Sequence, residues 1–325
     1  MSLICRGRIT TDIVGLQGFD SRERFVERSC TPVPALGILL NHRAMTTSAP
    51  TPNKAAVIQL CSDSDLQGNL ATCERLVVLP ECFAFLGERE QDKFAIAEYL
   101  SPGALPQDAG PIMRSITKMA TNHAVWVIAG GIPELRPEDA DSPTKTTAYN
   151  TCAVISPAGE LVSAYRKIHL FDVDIPGGAT LKESAATSAG SDVLAVDTSI
   201  GRVGLSICYD LRFPELYRTL TMDMGAEILV VPAAFTAHTG AAHWHTLLRA
   251  RAIENQCWVL AAGQTGRHNA KRHSYGHSLI IDPWGVIRGE VAEGDGIAIA
   301  DIDAAFTAEK RMHLPCLTHS VLRKS

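Results

Sequence analysis

No two cysteines in this chain are spaced C-x-x-C, and the nine it contains are scattered singly. An odd, dispersed set builds neither a disulfide framework nor a structural zinc site, and it suits a reducing compartment. Basic residues are not in surplus either: 30 Lys and Arg stand against 35 Asp and Glu, a formal net charge of −5. A groove for nucleic acid is therefore not supported. No apolar run approaches the ~20 residues of a membrane-spanning helix. Gly204-Leu205-Ser206 opens like a G-x-S-x-G serine elbow but lacks the final glycine, which argues against a serine hydrolase.

The chain does have the makings of a large core. Of its 325 residues 46% are hydrophobic and 20% charged, which fits a compact protein of one large domain or two small ones. Residues 1–53 read as an extension, disordered or targeting, and 54–325 as the folded domain. Arginines at positions 6, 8, 22, 24, 28 and 43 suit a mitochondrial transit peptide, whereas Asp12, Asp20, Glu23 and Glu27 do not. The expectation is a cytoplasmic protein, with a mitochondrial location as the alternative and Met45 as a start for a shorter form.

From Lys54 onward strands and helices alternate, with hairpins interspersed. Strands are expected at Ala55–Leu60, Val77–Leu79, Ala124–Ala129 (closed by Gly130-Gly131), Glu227–Val231, Cys257–Ala262 and Ile297–Asp301. Hairpins join 147–156 to 161–165, 192–197 to 203–207, and 278–282 to 286–290. Helices are expected at Pro111–His123, from Pro214 to about Met222, and at His243–Gln256. This is an α/β pattern with mixed sheets, most economically two sheets face to face with helices outside. One junction is too short. Asn69–Leu76 passes straight into Val77, and eight helical residues span only ~12 Å at ~1.5 Å each, little for a crossover between parallel strands. A stunted crossover would uncover apolar surface and displace Glu81.

Three polar residues sit at strand ends, where side chains converge on one edge of a sheet. Glu81 follows Val77-Val78-Leu79-Pro80, Lys167 follows the strand ending at Tyr165, and Cys208 follows Val203–Ile207 just before the helix at Pro214. A carboxylate, an ammonium and a thiol are the parts of thiol-mediated acyl transfer. The base takes the thiol proton, and the cation with the backbone N–H of Tyr209 holds the oxyanion. Taken singly, Glu81 could cap a helix, Lys167 could be solvated and Cys208 could be a small buried hydrophobe. Asp210 and Arg212, which flank the nucleophile, suit substrate positioning or loop-fixing hydrogen bonds equally. The H-x-H pair His243 and His245 lies on opposite sides of a helix and is not expected to bind metal.

Leu79-Pro80-Glu81, Y-R-K-I-H-L-F-D (165–172) and G-L-S-I-C-Y-D-L-R-F-P-E-L (204–216) resemble, in order and separation, the three signatures of the nitrilase superfamily of carbon–nitrogen hydrolases. The similarity runs from about Lys54 to Pro315. G-R-H-N-A-K-R-H-S-Y-G-H (266–277) and F-P-E-L after the cysteine place it nearest the branch that hydrolyses deaminated glutathione. The resemblance implies an α-β-β-α sandwich that dimerises, with Cys208 as nucleophile, Glu81 as base, Lys167 for the oxyanion and Glu183 as a supporting carboxylate. It implies no cofactor, and a small linear amide as substrate. Compared with that family the chain is short before Glu81, stops soon after His319, and carries an unmatched N-terminal stretch.

Other readings are an ω-amidase acting on 2-oxoglutaramate or 2-oxosuccinamate, and a non-catalytic interaction protein of the same fold. An intact catalytic set predicts that Cys208 alkylates faster than the other cysteines. A homodimer is expected through the helices near Pro214 and His243, because Leu216, Leu220, Trp244, Leu247 and Leu248 exceed what one sheet face needs.

Overall fold

The computed structural model describes residues 53–62, 78–100, 109–136, 147–174 and 180–322. The N-terminal extension up to residue 52 and the short crossover at Asn69–Leu76 lie outside the described residues.

In chain order the elements are β1 (Asn53–Gln59), β2 (Val78–Leu79), α1 (Pro111–His123), β3 (Val127–Glu134), β4 (Ala148–Ile155), β5 (Leu161–Arg166), β6 (Asp172–Asp174), β7 (Thr180–Lys182) and β8 (Thr187–Ser188). Then come β9 (Ala195–Thr198), β10 (Gly201–Gly204), α2 (Pro214–Met222), β11 (Ile228–Val230), α3 (Ala237–Asn255) and β12 (Trp258–Ala261). The last are β13 (Thr265–Arg267), β14 (His273–Tyr275), β15 (Ser278–Ile281), β16 (Ile287–Val291), β17 (Gly296–Ile302) and α4 (Ala304–His313).

Two large sheets carry the fold. One runs β17-β1-β2-β3-β4-β5 with β8 beside β4; the other runs β16-β15-β12-β11-β10-β9. Each has a parallel trio at its centre, β1-β2-β3 and β10-β11-β12, flanked by antiparallel strands. Parallel strands demand crossovers, and α1, α2 and α3 supply three of them. Because both faces of the first sheet are covered, its strands divide their side chains by the two-residue period. Val57, Val78, Ile128 and Val154 join the cluster containing Val203, Leu229 and Ile280 of the second sheet. Their neighbours Ile58, Leu79, Ala129 and Ala153 pack with Ile112, Ile116 and Met119 of α1.

Helix α1 spans the expected residues, Pro111 at its first position. Its N-terminal amides are capped from afar: Ile112 and Met113 N–H donate to the Glu98 carboxylate at 2.6 and 3.0 Å. Gly110 makes room, since a Cβ there would lie 2.1 Å from Glu98 Cδ.

Three expectations need correction. The third strand does not close at Gly130-Gly131 but continues to Glu134; the register shifts between Ala129 and Ile132, and Gly131 has a φ of +72°. The glycines build a bulge rather than an end. The helix expected from His243 begins six residues sooner, at Ala237. Thr236 caps it by accepting from Thr239 N–H at 3.3 Å, and Gly240 in its first turns lies against Tyr275. Finally, Leu216, Leu220, Trp244 and Leu248 are buried in the chain's own core and Leu247 packs partly against it, so they are not surplus. β1 and β2 pair in parallel at Val57 and Val78. Among the described residues no helix is long and apolar enough to cross a membrane.

Candidate active site

Glu81, Lys167 and Cys208 arrive from three strands. β2 delivers Glu81 two residues past its end, β5 delivers Lys167 next to its end, and β10 leads through Leu205–Ile207 to Cys208. The sequence places the last strand's end at Ile207, whereas ladder pairing stops at Gly204. The segment up to Cys208 is held by other bonds: Ser206 Oγ donates to Val230 O at 2.7 Å, and Cys208 N–H to Pro232 O at 2.8 Å.

Cys208 opens a short 3-10 turn, Cys208–Arg212, with φ at +47°, a left-handed conformation that an L-residue keeps only when its surroundings impose it. The imposing group is Asp210, fully buried. Its carboxylate accepts from Tyr165 OH at 2.7 Å and Ile207 N–H at 2.8 Å on one oxygen, and from His169 N–H at 3.2 Å on the other, which also lies 2.7 Å from His169 Nδ1. Of the two readings open for Asp210, loop fixation is the one the geometry supports. Arg212 reaches the cavity wall over the Phe235 ring at 5.0 Å, with His243 Nδ1 at 3.1 Å from its Nη1.

The Glu81 turn is equally constrained. Gln264 Nε2 donates to Glu81 O at 3.0 Å and to Ser62 Oγ at 2.9 Å, and Ser62 Oγ donates to Phe83 O at 2.9 Å. Cys82 has a φ of +57°. Five described non-glycine residues have positive φ; Ala124 and Gln256 end helices, and Cys82 and Cys208 flank the site.

Lys167 Nζ lies 2.9 Å from Glu81 Oε1 and 2.9 Å from Glu183 Oε2, all three side chains buried. Asn150 of β4 donates through Nδ2 to Glu81 Oε1 at 2.9 Å and to Glu183 Oε1 at 3.1 Å. Ala234 N–H donates to Glu81 Oε2 at 3.0 Å, and Phe171 N–H to Glu183 Oε2 at 2.7 Å. The structure therefore brings together all four expected ionisable or nucleophilic groups and adds Asn150, which the sequence reading missed. Its one signal is an asparagine inside a β-strand, where that residue is depleted.

Electrostatics assign the resting protons. Burial alone would raise the Glu81 carboxyl, but the Lys167 charge and hydrogen bonds from Cys208, Lys167 and Asn150 hold it below its ordinary value of 4.5. Burial works against the Lys167 ammonium too, yet Glu183 and Glu81 keep it charged well above 10.5. Cys208 is pushed well above 9.0 by burial and by the Glu81 charge. At rest the site holds a neutral thiol hydrogen-bonded to an ionised base beside a cation. The alkylation expected of Cys208 therefore runs through transfer of its proton to Glu81 rather than through a standing thiolate.

These residues form the floor of a cavity of about 410 Å³. Its walls include Leu86, Phe171, Tyr209 and Phe235, with Lys93, Arg212, Lys271 and Arg272 against Glu90. Glu90 pairs with Lys93 at 3.1 Å and also with Arg272. His243 and His245 do not converge; the first meets Arg212 and the second Glu290.

The carbon–nitrogen hydrolase family profile matches residues 54–312. Over 283 residues the chain is 43% identical to a deaminated glutathione amidase of Synechocystis, covering 83% of this chain and 98% of that one. It is 41% identical to the Caenorhabditis elegans NitFhit fusion protein, over 81% of this chain; this chain spans only 60% of the fusion's length. The crystal structure of that fusion superposes with a TM-score of 0.73 at 40% identity, over 82% of this chain and 64% of the other. Saccharomyces cerevisiae Nit3, a member of branch 10 of the nitrilase superfamily, superposes with a TM-score of 0.71 at 31% identity, over 84% and 96%.

Proposed function

This chain belongs to the carbon–nitrogen hydrolase family, as a hydrolase of C–N bonds other than peptide bonds, and on that premise we propose that it cleaves deaminated glutathione through a Cys208 thioester. The observation that carries the reading is the juxtaposition of Glu81, Lys167 and Cys208 on one cavity floor, with the Lys167 ammonium 2.9 Å from a Glu81 carboxylate oxygen. As the sulfur attacks the amide carbon, its proton passes to Glu81 and the carbonyl π pair moves onto oxygen. Lys167 and the Tyr209 N–H stabilise that oxyanion. Collapse breaks the C–N bond, and the amine leaves with the proton from Glu81. Water then attacks the thioester with Glu81 again as base, the C–S bond breaks, and the sulfur recovers its proton. Glu183 and Asn150 hold Lys167 and Glu81 in register.

The cavity supports an acidic amide. Lys93, Lys167, Arg212, Lys271 and Arg272 line it against the carboxylates of Glu81, Glu90 and Glu183, so a substrate bearing carboxylates gains charge-assisted contacts. The deciding experiment compares kcat/KM for deaminated glutathione with 2-oxoglutaramate and 2-oxosuccinamate. A higher value for deaminated glutathione is expected, and preference for either smaller amide would establish the ω-amidase reading. Loss of turnover in Cys208→Ala is expected as well; retained turnover would refute the thioester route, and no turnover in the unaltered protein would favour an interaction protein.

For the dimer, support shifts to Ile253, Trp284 and Val286, apolar and exposed around the end of α3, where Gly285 lies against Ile253. Sedimentation at micromolar concentration tests it, with a monomer mass counting against.

A further inference from the structure

The fifth positive-φ residue, His277 at +57°, takes no part in the catalytic set. It occupies the turn between β14 and β15, and its ring is fixed from several sides. The Tyr275 ring stacks on it at 4.4 Å, and His245 meets it edge-on at 5.2 Å. Its backbone is pinned as well: its carbonyl accepts from Trp244 Nε1 at 2.7 Å, and its N–H donates to Ala292 O at 3.3 Å. A strained residue held this firmly, with an imidazole aimed at other polar groups, points to a ligand role.

Those groups are His245 on α3 and Glu290 on β16. His277 Nδ1 lies 2.8 Å and His245 Nε2 3.1 Å from the same oxygen, Glu290 Oε1. The donor atoms of the three side chains all lie within 4.8 Å of one another. We propose that His245, His277 and Glu290 form a binding site for a divalent transition metal of the zinc type, outside the amidase cavity.

Three considerations carry this. First, two imidazoles and one carboxylate suit Zn²⁺, Co²⁺ or Ni²⁺, whereas Mg²⁺ and Ca²⁺ take sets made of oxygen. Second, the separations of 2.8 and 3.1 Å need open by only some tenths of an ångström to reach the ~3.3–3.6 Å edges of a tetrahedron whose metal–ligand bonds are ~2.0–2.2 Å. An ion enters by displacing the ring protons, with little side-chain movement. Third, the ligands stand on a helix, a pinned turn and a strand, so their geometry is set before binding; the two histidines are partly exposed and Glu290 is exposed, which leaves a fourth position for water.

A bound ion would tie α3 to the β14–β15 turn. The start of α3, at Ala237 to Thr239, and Ser274 of β14 both line the catalytic cavity, so the clamp would stiffen one of its walls.

The test uses the full chain carrying Cys208→Ala, stripped with EDTA, so that the nucleophile cannot contribute a thiolate. Titration with Zn²⁺ should show one saturable equivalent and raise Tm by about 2 °C or more. Co²⁺ should give a visible d–d spectrum without the sulfur-to-cobalt charge transfer of a cysteine site. His245→Ala, His277→Asn and Glu290→Gln should each weaken binding by more than about tenfold. Asparagine tolerates the left-handed backbone at 277, and circular dichroism confirms that each variant is folded. Absence of saturable binding, equal affinity in the three variants, a sulfur charge-transfer band, or Mg²⁺ binding as tightly as Zn²⁺ would each overturn the site. None of these outcomes bears on amide hydrolysis.

Discussion

Gly130 of β3 lies so close to Pro232, just beyond β11, that a Cβ on the glycine would sit 2.0 Å from the proline Cβ. The same Pro232 accepts the Cys208 N–H, so this contact between sheets fixes the nucleophile's backbone. One residue on, a Cβ at Gly131 would fall 2.4 Å from Cys82 N and 2.9 Å from Glu81 Cα. Two adjacent glycines thus set the separation of the Glu81 and Cys208 backbones.

Gly131→Ala should therefore misplace Glu81 before it harms anything else. The positive φ and the clash with backbone both oppose alanine, and destabilisation of roughly 1–3 kcal/mol is expected. A displacement of the base by ~1 Å should lower kcat by about 10²-fold. Urea unfolding and steady-state kinetics measure the two effects. Wild-type kcat would show that the turn absorbs the methyl.

Lys167→Met removes the cation that pairs with two buried carboxylates, Glu81 and Glu183. Leaving them unpaired should destabilise the protein by about 3–5 kcal/mol. Losing an oxyanion donor should reduce kcat by a further ~10²–10³. The double variant Lys167→Met/Glu183→Gln should regain part of the melting temperature and none of the turnover. Recovery of both would make Lys167 purely structural.

The candidate site residues were legible in the sequence because a β-rich run that gives way to a polar side chain marks a strand end. Glu81 follows Val78-Leu79-Pro80, Lys167 follows the strand that ends at Arg166, and Cys208 follows the apolar run up to Ile207, so each could be read from local pattern alone. What the sequence hid depends on distance along the chain. Glu98 caps α1 from outside the helix, Asn150 reads as a strand residue until two carboxylates meet it, and Gly240 looks like a helix breaker until Tyr275 occupies its face. Gly130-Gly131 looks like a strand end because a bulge and a stop use the same residues.

Glu81→Gln should fold, since the amide still accepts one hydrogen bond from Lys167, yet kcat should fall by about 10²–10⁴. In the unaltered protein the acid limb of kcat/KM should lie below pH 4.5, because the carboxyl is held below that value. The same depressed value contributes stability that is present above 4.5 and lost as pH falls through the folded pKa. An acid limb near neutrality would contradict this assignment.

The thiols govern the alkaline side. Burial raises Cys82 and Cys152 from 9.0 to about 12, and Cys208 is also raised well above 9.0. A raised folded pKa gives stability that is complete below the unfolded value and is lost as pH rises toward the folded one. Tm should thus begin to fall once the pH passes 9, from the unfolded value of these thiols. The thiolate absorbance difference between wild type and Cys208→Ala should be absent at pH 8. A thiolate signal there would mean that the proton rests on Glu81.

β1 is the first described strand and β17 the last, and they pair over their whole length, Asn53 with Ile302 through Gln59 with Gly296. Loop-closure entropy must be met before such a contact rewards the chain, which makes folding slow. During synthesis β1 waits as an open edge while almost the entire domain emerges after it, exposed to wrong partners. A nascent chain stalled before Gly296 is in that position permanently. The same strand that completes the sheet therefore decides when the protein first becomes safe from aggregation.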